Sequence, residues 1–340
     1  SEPIPFRYWW GLTGCAALMG LVFALAPYDE GFVLAPDRGN WWYAWQLLEP
    51  TAWSRLSAWI PYLIHQISIW FLIYQAQQVR PKYIFGLHSF NVWALGINAF
   101  FILVHLAQTK LFYDGLAQDM HEATSFMSVV VMLFMIYIME NRRRGFVFGK
   151  SVPLKMMDTV AGALRRYHGY YFSWAIIYVF WYHPFEMTSG HLAGFGYMFL
   201  LLLQSSLFFT RYHTNRVWTM FLETLFLVHG ALVAAFIMNP GEHQFWSMFL
   251  FGGVAIFLVT HLHGMGLSTR SKLIVATPLV LILAAFYGFY PQYLSWLGQL
   301  PFTMYVGSIV LAVVLWLFIR FGVLIRQMLE PSGLSQGSTS

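Results

Sequence analysis

Long apolar runs separated by short polar breaks dominate the chain. Runs long enough to cross about 30 Å of hydrocarbon at about 1.5 Å per residue fall near 8–27, 55–77, 87–112, 122–140 and 167–184. Five more fall near 191–211, 216–238, 244–263, 272–290 and 301–326. Pro27, Pro81, Pro184, Pro240, Pro291 and Pro301 stand at or beside the ends of these runs, where a residue without an N–H is tolerated. The pattern predicts an all-α polytopic integral membrane protein of about ten transmembrane helices, one domain over 1–330 with a disordered tail at 331–340. Residues 8–26 close on the signal-peptidase-like Ala24-Leu25-Ala26; we read them as a first transmembrane helix. Two connections are long. Residues 28–54 are expected to form an outer loop with an interfacial helix, because Trp41, Trp42, Tyr43 and Trp45 cluster there, and 141–166 form a basic loop.

Charge orients this array. With a cytoplasmic N-terminus, 16 of the 19 Lys and Arg fall in cytoplasmic segments, and only Arg38, Arg55 and Lys110 fall outside. That asymmetry obeys the positive-inside rule, places both termini in the cytoplasm and suits a bacterial inner membrane. The net charge of +5 is therefore a topology signal and no nucleic-acid partner is expected. Composition agrees: 59% of residues are hydrophobic and 10% charged, against about 25% charged in soluble domains. Cys15 is the sole cysteine, which excludes an internal disulfide, a cysteine-ligated cluster and covalently attached haem.

Twelve histidines are the chemistry in this apolar chain. On the topology they form two layers. His105, His121, His183, His191 and His243 lie near the outer face; His88, His168, His213, His261 and His263 lie near the inner one. His65 and His229 sit deeper. Most stand near span ends, where an imidazole reaches water or a headgroup without any further role. His65 and His229 cannot, and ionisable groups inside a span are candidates for function.

Paired layers suit haem b, whose iron takes two axial imidazoles from neighbouring helices. His168 and His183 are 15 residues apart, hence about 22 Å along an axis and about 60° around it. They are candidate ligands with partners expected from spans three, six or eight, and His88, His105, His213 and His229 complete the candidate cofactor-binding set. The alternative is a non-haem transition metal (iron, copper or zinc) near the outer leaflet, held by His105, His121, Glu122, His183, Glu186 and His191. Glu122, Glu186 and Glu223 are the candidate acid–base residues. Glu223, inside span seven, is expected to be protonated or paired, with Arg216 as one candidate partner. His261 and His263, two apart, are read as marking the end of span eight. H-E-x-x-H is absent because position 125 is Ser125, and neither a G-x-S-x-G elbow nor a P-loop occurs.

Three functions remain open on these grounds. The first is a membrane oxidoreductase or electron carrier with histidine-bound metal, haem b favoured, served by a quinone. The second is a metal enzyme acting on a lipid or isoprenoid substrate from the bilayer. The third is a transporter, or a cofactor-binding subunit of a larger membrane complex.

Overall fold

A computed structural model of the chain describes residues 2–29, 31–39, 42–236 and 245–329. Ten long helices account for almost all of it, and among the described residues the only β-type pairings are isolated bridges such as Ile4 with Leu87. They are α1 (Tyr8–Ala24), α2 (Ala52–Val79), α3 (Ser89–Phe112), α4 (Glu122–Arg144), α5 (Lys155–Tyr182), α6 (Ser189–Ser206) and α7 (Arg216–Phe236). The series continues with α8, which runs from Phe245–Ile256 through a π-helical Phe257–His261 into Leu262–Gly264, then α9 (Thr269–Phe289) and α10 (Gln299–Leu329). Among the described residues, seven helices are long and apolar enough to cross a membrane: α2, α3, α4, α7, α8, α9, and α10 with the short turns that lead into it. The protein is a helical membrane protein.

The bundle is organised around α5. It packs against α2, α4, α6 and α10, while α6 packs against α1, α3, α5 and α7. Residues 175–182 of α5 are all buried, and Phe180, Trp181 and Tyr182 are completely so. A helix apolar on every side belongs in the interior. Its Tyr and Trp bring their polar tips with them, and each finds a partner: Trp174 Nε1 donates to the Tyr62 hydroxyl at 3.2 Å and Tyr182 donates to the Met120 carbonyl at 3.0 Å. Pro184 stops the helix, because the residue before a proline is driven out of the α region; His183 accordingly has φ −102° and ψ 127°.

Several expectations change here. Helix α5 begins at Lys155 rather than near 167, so the basic loop expected at 141–166 shrinks to 145–154. The outer loop contains no interfacial helix among its described residues beyond the turn Ala26–Asp29; it runs extended, with a bridge between Leu34 and Leu47. Tyr43, expected in an interfacial belt, is instead 5% exposed and packs edge-on against Tyr182 and the rings of His183 and His191. Trp41, Glu242, His243 and the tail lie outside the described residues.

Candidate functional site

The histidines separate by what their two ring nitrogens touch. His65 on α2 is fully engaged: its Nε2 is 2.7 Å from Asn98 Oδ1, and its Nδ1 accepts from Trp181 Nε1 at 3.2 Å. His105 on α3 is likewise tied at both ends, to the Gln108 side chain and to the His183 carbonyl, each at 2.8 Å. It lies against Phe180, Trp181 and Phe185, with no surface exposed. These are interhelical fasteners: each ring crosslinks two or three helices and leaves no nitrogen over.

A second set behaves differently. His168 on α5 has Nδ1 at 3.1 Å from the Leu164 carbonyl and 3.2 Å from that of Arg165. A carbonyl only accepts, so Nδ1 carries the proton and Nε2 keeps a lone pair. His183, at the other end of α5, repeats the arrangement with its Nδ1 2.9 Å from the Val179 carbonyl. His213 does so in the loop before α7, with Nδ1 3.0 Å from the Gln204 carbonyl. Gln204 on α6 holds that loop in place. Its Nε2 donates to the His213 carbonyl at 3.0 Å and its Oε1 accepts from Trp218 Nε1 at 2.7 Å. Tying one nitrogen to a carbonyl is how proteins fix the tautomer and direction of a metal-binding imidazole.

The structure brings two of these rings together. His168 and His213 face one another with ring centroids 6.2 Å apart and planes at 28°. At the other end of α5, the ring of His191 on α6 lies 5.8 Å from that of His183. His229 Nδ1 is buried without a hydrogen-bond partner. Gly194 makes space for this ring, since a Cβ there would meet its Cε1 at 3.2 Å. His191 differs from its neighbours: hydroxyls take both its nitrogens, Tyr43 Oη at 2.6 Å from Nε2 and Thr188 Oγ1 at 2.7 Å from Nδ1. Burial lowers the His213 imidazole, in the loop before α7, to about 4, so it is neutral at neutral pH.

Other candidates fall elsewhere. His88 precedes α3, its Nε2 3.2 Å from the Lys82 carbonyl and its ring stacked on Phe90. His121 caps α4, accepting from the Ala123 N–H at 3.2 Å. Glu122 opens α4 half-buried, and Glu186 accepts a short hydrogen bond from Tyr113. The six residues expected around one outer ion are not gathered: His105 spends both nitrogens on protein groups and His121 points into a helix cap. Among the described residues no three or more His, Cys, Asp or Glu side chains converge to hold a metal ion. The ring beside His168 is His213, from the loop before α7, whereas the histidine ring beside His183 is His191 of α6, one of the spans expected to supply a partner.

A second buried cluster lies where the C-terminal ends of α4 and α8 meet the N-terminal half of α7. Glu223 pairs not with Arg216 but with Arg144, whose Nη1 is 2.7 Å from Glu223 Oε2. His261 Nε2 is 3.1 Å from that same oxygen, so His261 is more than a span-end marker. It sits in the π segment of α8, where one widened turn re-aims side chains and frees backbone groups. The freed Val259 carbonyl accepts from Phe148 N at 2.8 Å, and Thr260 donates to the Phe146 carbonyl at 2.8 Å. Those contacts dock the 145–150 turn onto α8. Nothing in local spacing announces this cluster, because its three members come from three separate helices.

A scan against family models and searches of the curated proteins and the solved structures found no match.

Proposed function

We propose that the protein is an integral membrane electron carrier with two bis-imidazole haem b positions stacked along α5, His168 with His213 on the cytoplasmic side and His183 with His229 on the outer side. In this reading all ten helices cross the membrane and both termini are cytoplasmic, as the bias of basic residues supports. The observation that carries the proposal is the facing pair His168 and His213, ring centroids 6.2 Å apart, with each Nδ1 tied to a carbonyl. A porphyrin supplies four of six iron positions, so two imidazoles suffice and no third protein ligand is needed. The orphaned Nδ1 of His229 and the space Gly194 leaves for its ring support the outer position.

Haem would supply one-electron chemistry there; the chain's own contribution is ligand basicity, orientation and a dry setting. Leu164, Val179 and Gln204 fix the tautomers through their carbonyls. Beyond His183, Tyr43 and the Tyr113–Glu186 pair offer hydroxyl and carboxylate groups that can take or give a proton when a quinone-type partner is oxidised or reduced at the outer leaflet.

The test is a reduced-minus-oxidised absorption spectrum with haem and iron counted per chain, on protein purified from cells supplied with a haem precursor. Two haems per chain are expected, with His168→Ala and His213→Ala each leaving one and their combination removing no more. A folded protein without a Soret band or bound iron sinks the proposal.

A further inference from the structure

We propose that the inner ends of α4, α7 and α8 form a binding site for a phosphate-type oxyanion, presented by an anionic lipid headgroup or as free phosphate. Arg144 ends α4 yet turns into the bundle, with 8% of its side chain exposed. Glu223 satisfies only its Nη1; Nε and Nη2 are buried without a hydrogen-bond partner. Buried donors in native proteins are met, and a guanidinium offers them as a rigid fork shaped for carboxylate or phosphate. Two features hold this fork. The Tyr137 ring lies 5.1 Å from its central carbon. Gly264 lets the side chain pass, since a Cβ there would come within 2.4 Å of Arg144 Cγ.

The guanidinium borders a cavity of about 340 Å³ including its open mouth, lined by Glu140, Arg143, Arg144, Arg216, Thr219 and His261 among others. Its enclosed part has about 20 Å³ for a water-sized group, which fits one or two oxygens of an anion whose remainder stays at the mouth. His261 Nδ1 is a further buried donor or acceptor without a partner. Charge points the same way. Glu140 neutralises Arg143 and Glu223 neutralises Arg144. Arg216 has no carboxylate partner among the described residues, which leaves one positive charge for a monoanion such as a phosphodiester. The arginine-rich end of the bundle is the cytoplasmic end by charge bias, and therefore lies at headgroup depth.

The experiment uses the full chain in a neutral detergent and follows its thermal midpoint against phosphatidylglycerol, phosphatidylcholine and inorganic phosphate at constant ionic strength. Phosphatidylglycerol or inorganic phosphate is expected to raise the midpoint, and phosphatidylcholine to leave it unchanged. Arg216→Gln and Arg143→Gln, outside the buried Arg144–Glu223 contact, are expected to raise the half-saturating concentration about tenfold, the equivalent of about 1.4 kcal/mol. A response to the lipid alone assigns the headgroup, and a response to inorganic phosphate assigns the free anion. No response to either, or equal responses in wild type and Arg216→Gln, overturns the site.

Discussion

His65 and His105 differ from His168 and His183 in burial and in what their second ring nitrogen touches: the first two have no exposed surface and the second two are half-buried. All four lie within the bundle, on α2, α3 and α5. The first two have partners on both ring nitrogens, drawn from side chains and carbonyls of other helices. The second two have Nδ1 fixed by a carbonyl of their own helix, at Leu164 and Val179, and among the described residues no hydrogen bond engages Nε2 of either. An imidazole with both nitrogens engaged fastens helices, and one with a nitrogen left over is the kind the proposed function draws on.

The largest effect should come from removing one member of the second set. His183→Ala is expected to abolish one haem of two and leave the His168 centre intact, read as half the reduced-minus-oxidised amplitude. A full-amplitude spectrum in that variant would place His183 with the fasteners. Next in size is the charged counterpart of these sites. Arg144→Met strands the buried Glu223 carboxylate and should cost about 3–5 kcal/mol, seen as a collapse in the yield of folded protein. Adding Glu223→Leu should recover most of it.

His65→Ala should cost about 1–3 kcal/mol, because Asn98 and Trp181 lose a buried partner, while the haem spectrum stays unchanged. Loss of haem in that variant would erase the distinction drawn here. The smallest effect is a pH dependence in haem-free protein. The imidazole of His213 is lowered from 6.5 to about 4 by burial, so the unfolded chain binds its proton first. Its contribution to stability is fully present above about pH 6.5 and is lost as pH falls towards 4. His213→Phe should flatten that part of the curve of unfolding midpoint against pH.

Hydropathy and function separate in this bundle. α9 has none of its most apolar stretch buried inside the protein, as expected of a helix facing lipid. α5 falls outside the seven most apolar helices because its residues include Tyr, Trp, His and Gly, yet it forms the centre. The helices were legible from apolar runs and prolines, and seven of them among the described residues are long and apolar enough to cross a bilayer. His168, His183, His213 and His229 were legible as candidates because an ionisable residue in an apolar run stands out. The pairing of His168 with His213 was not, nor was the uselessness of His105 as a ligand, because both depend on which carbonyls and rings lie across a helix interface. Tyr43 was misread for the same reason: a tyrosine that seals a histidine cluster has the same local sequence as one in an interfacial belt.

The sequence by itself determined a helical membrane protein, its approximate helices and the supply of histidines, since length, apolarity and charge bias are properties of each segment alone. Tertiary structure decided the rest. It set His168 against His213 and buried Arg144 against Glu223 and His261, while both nitrogens of His65 and His105 were taken up in packing. Each of those outcomes is a hydrogen bond or ring contact between separate elements, and it exists only once α5, α6 and α7 lie side by side.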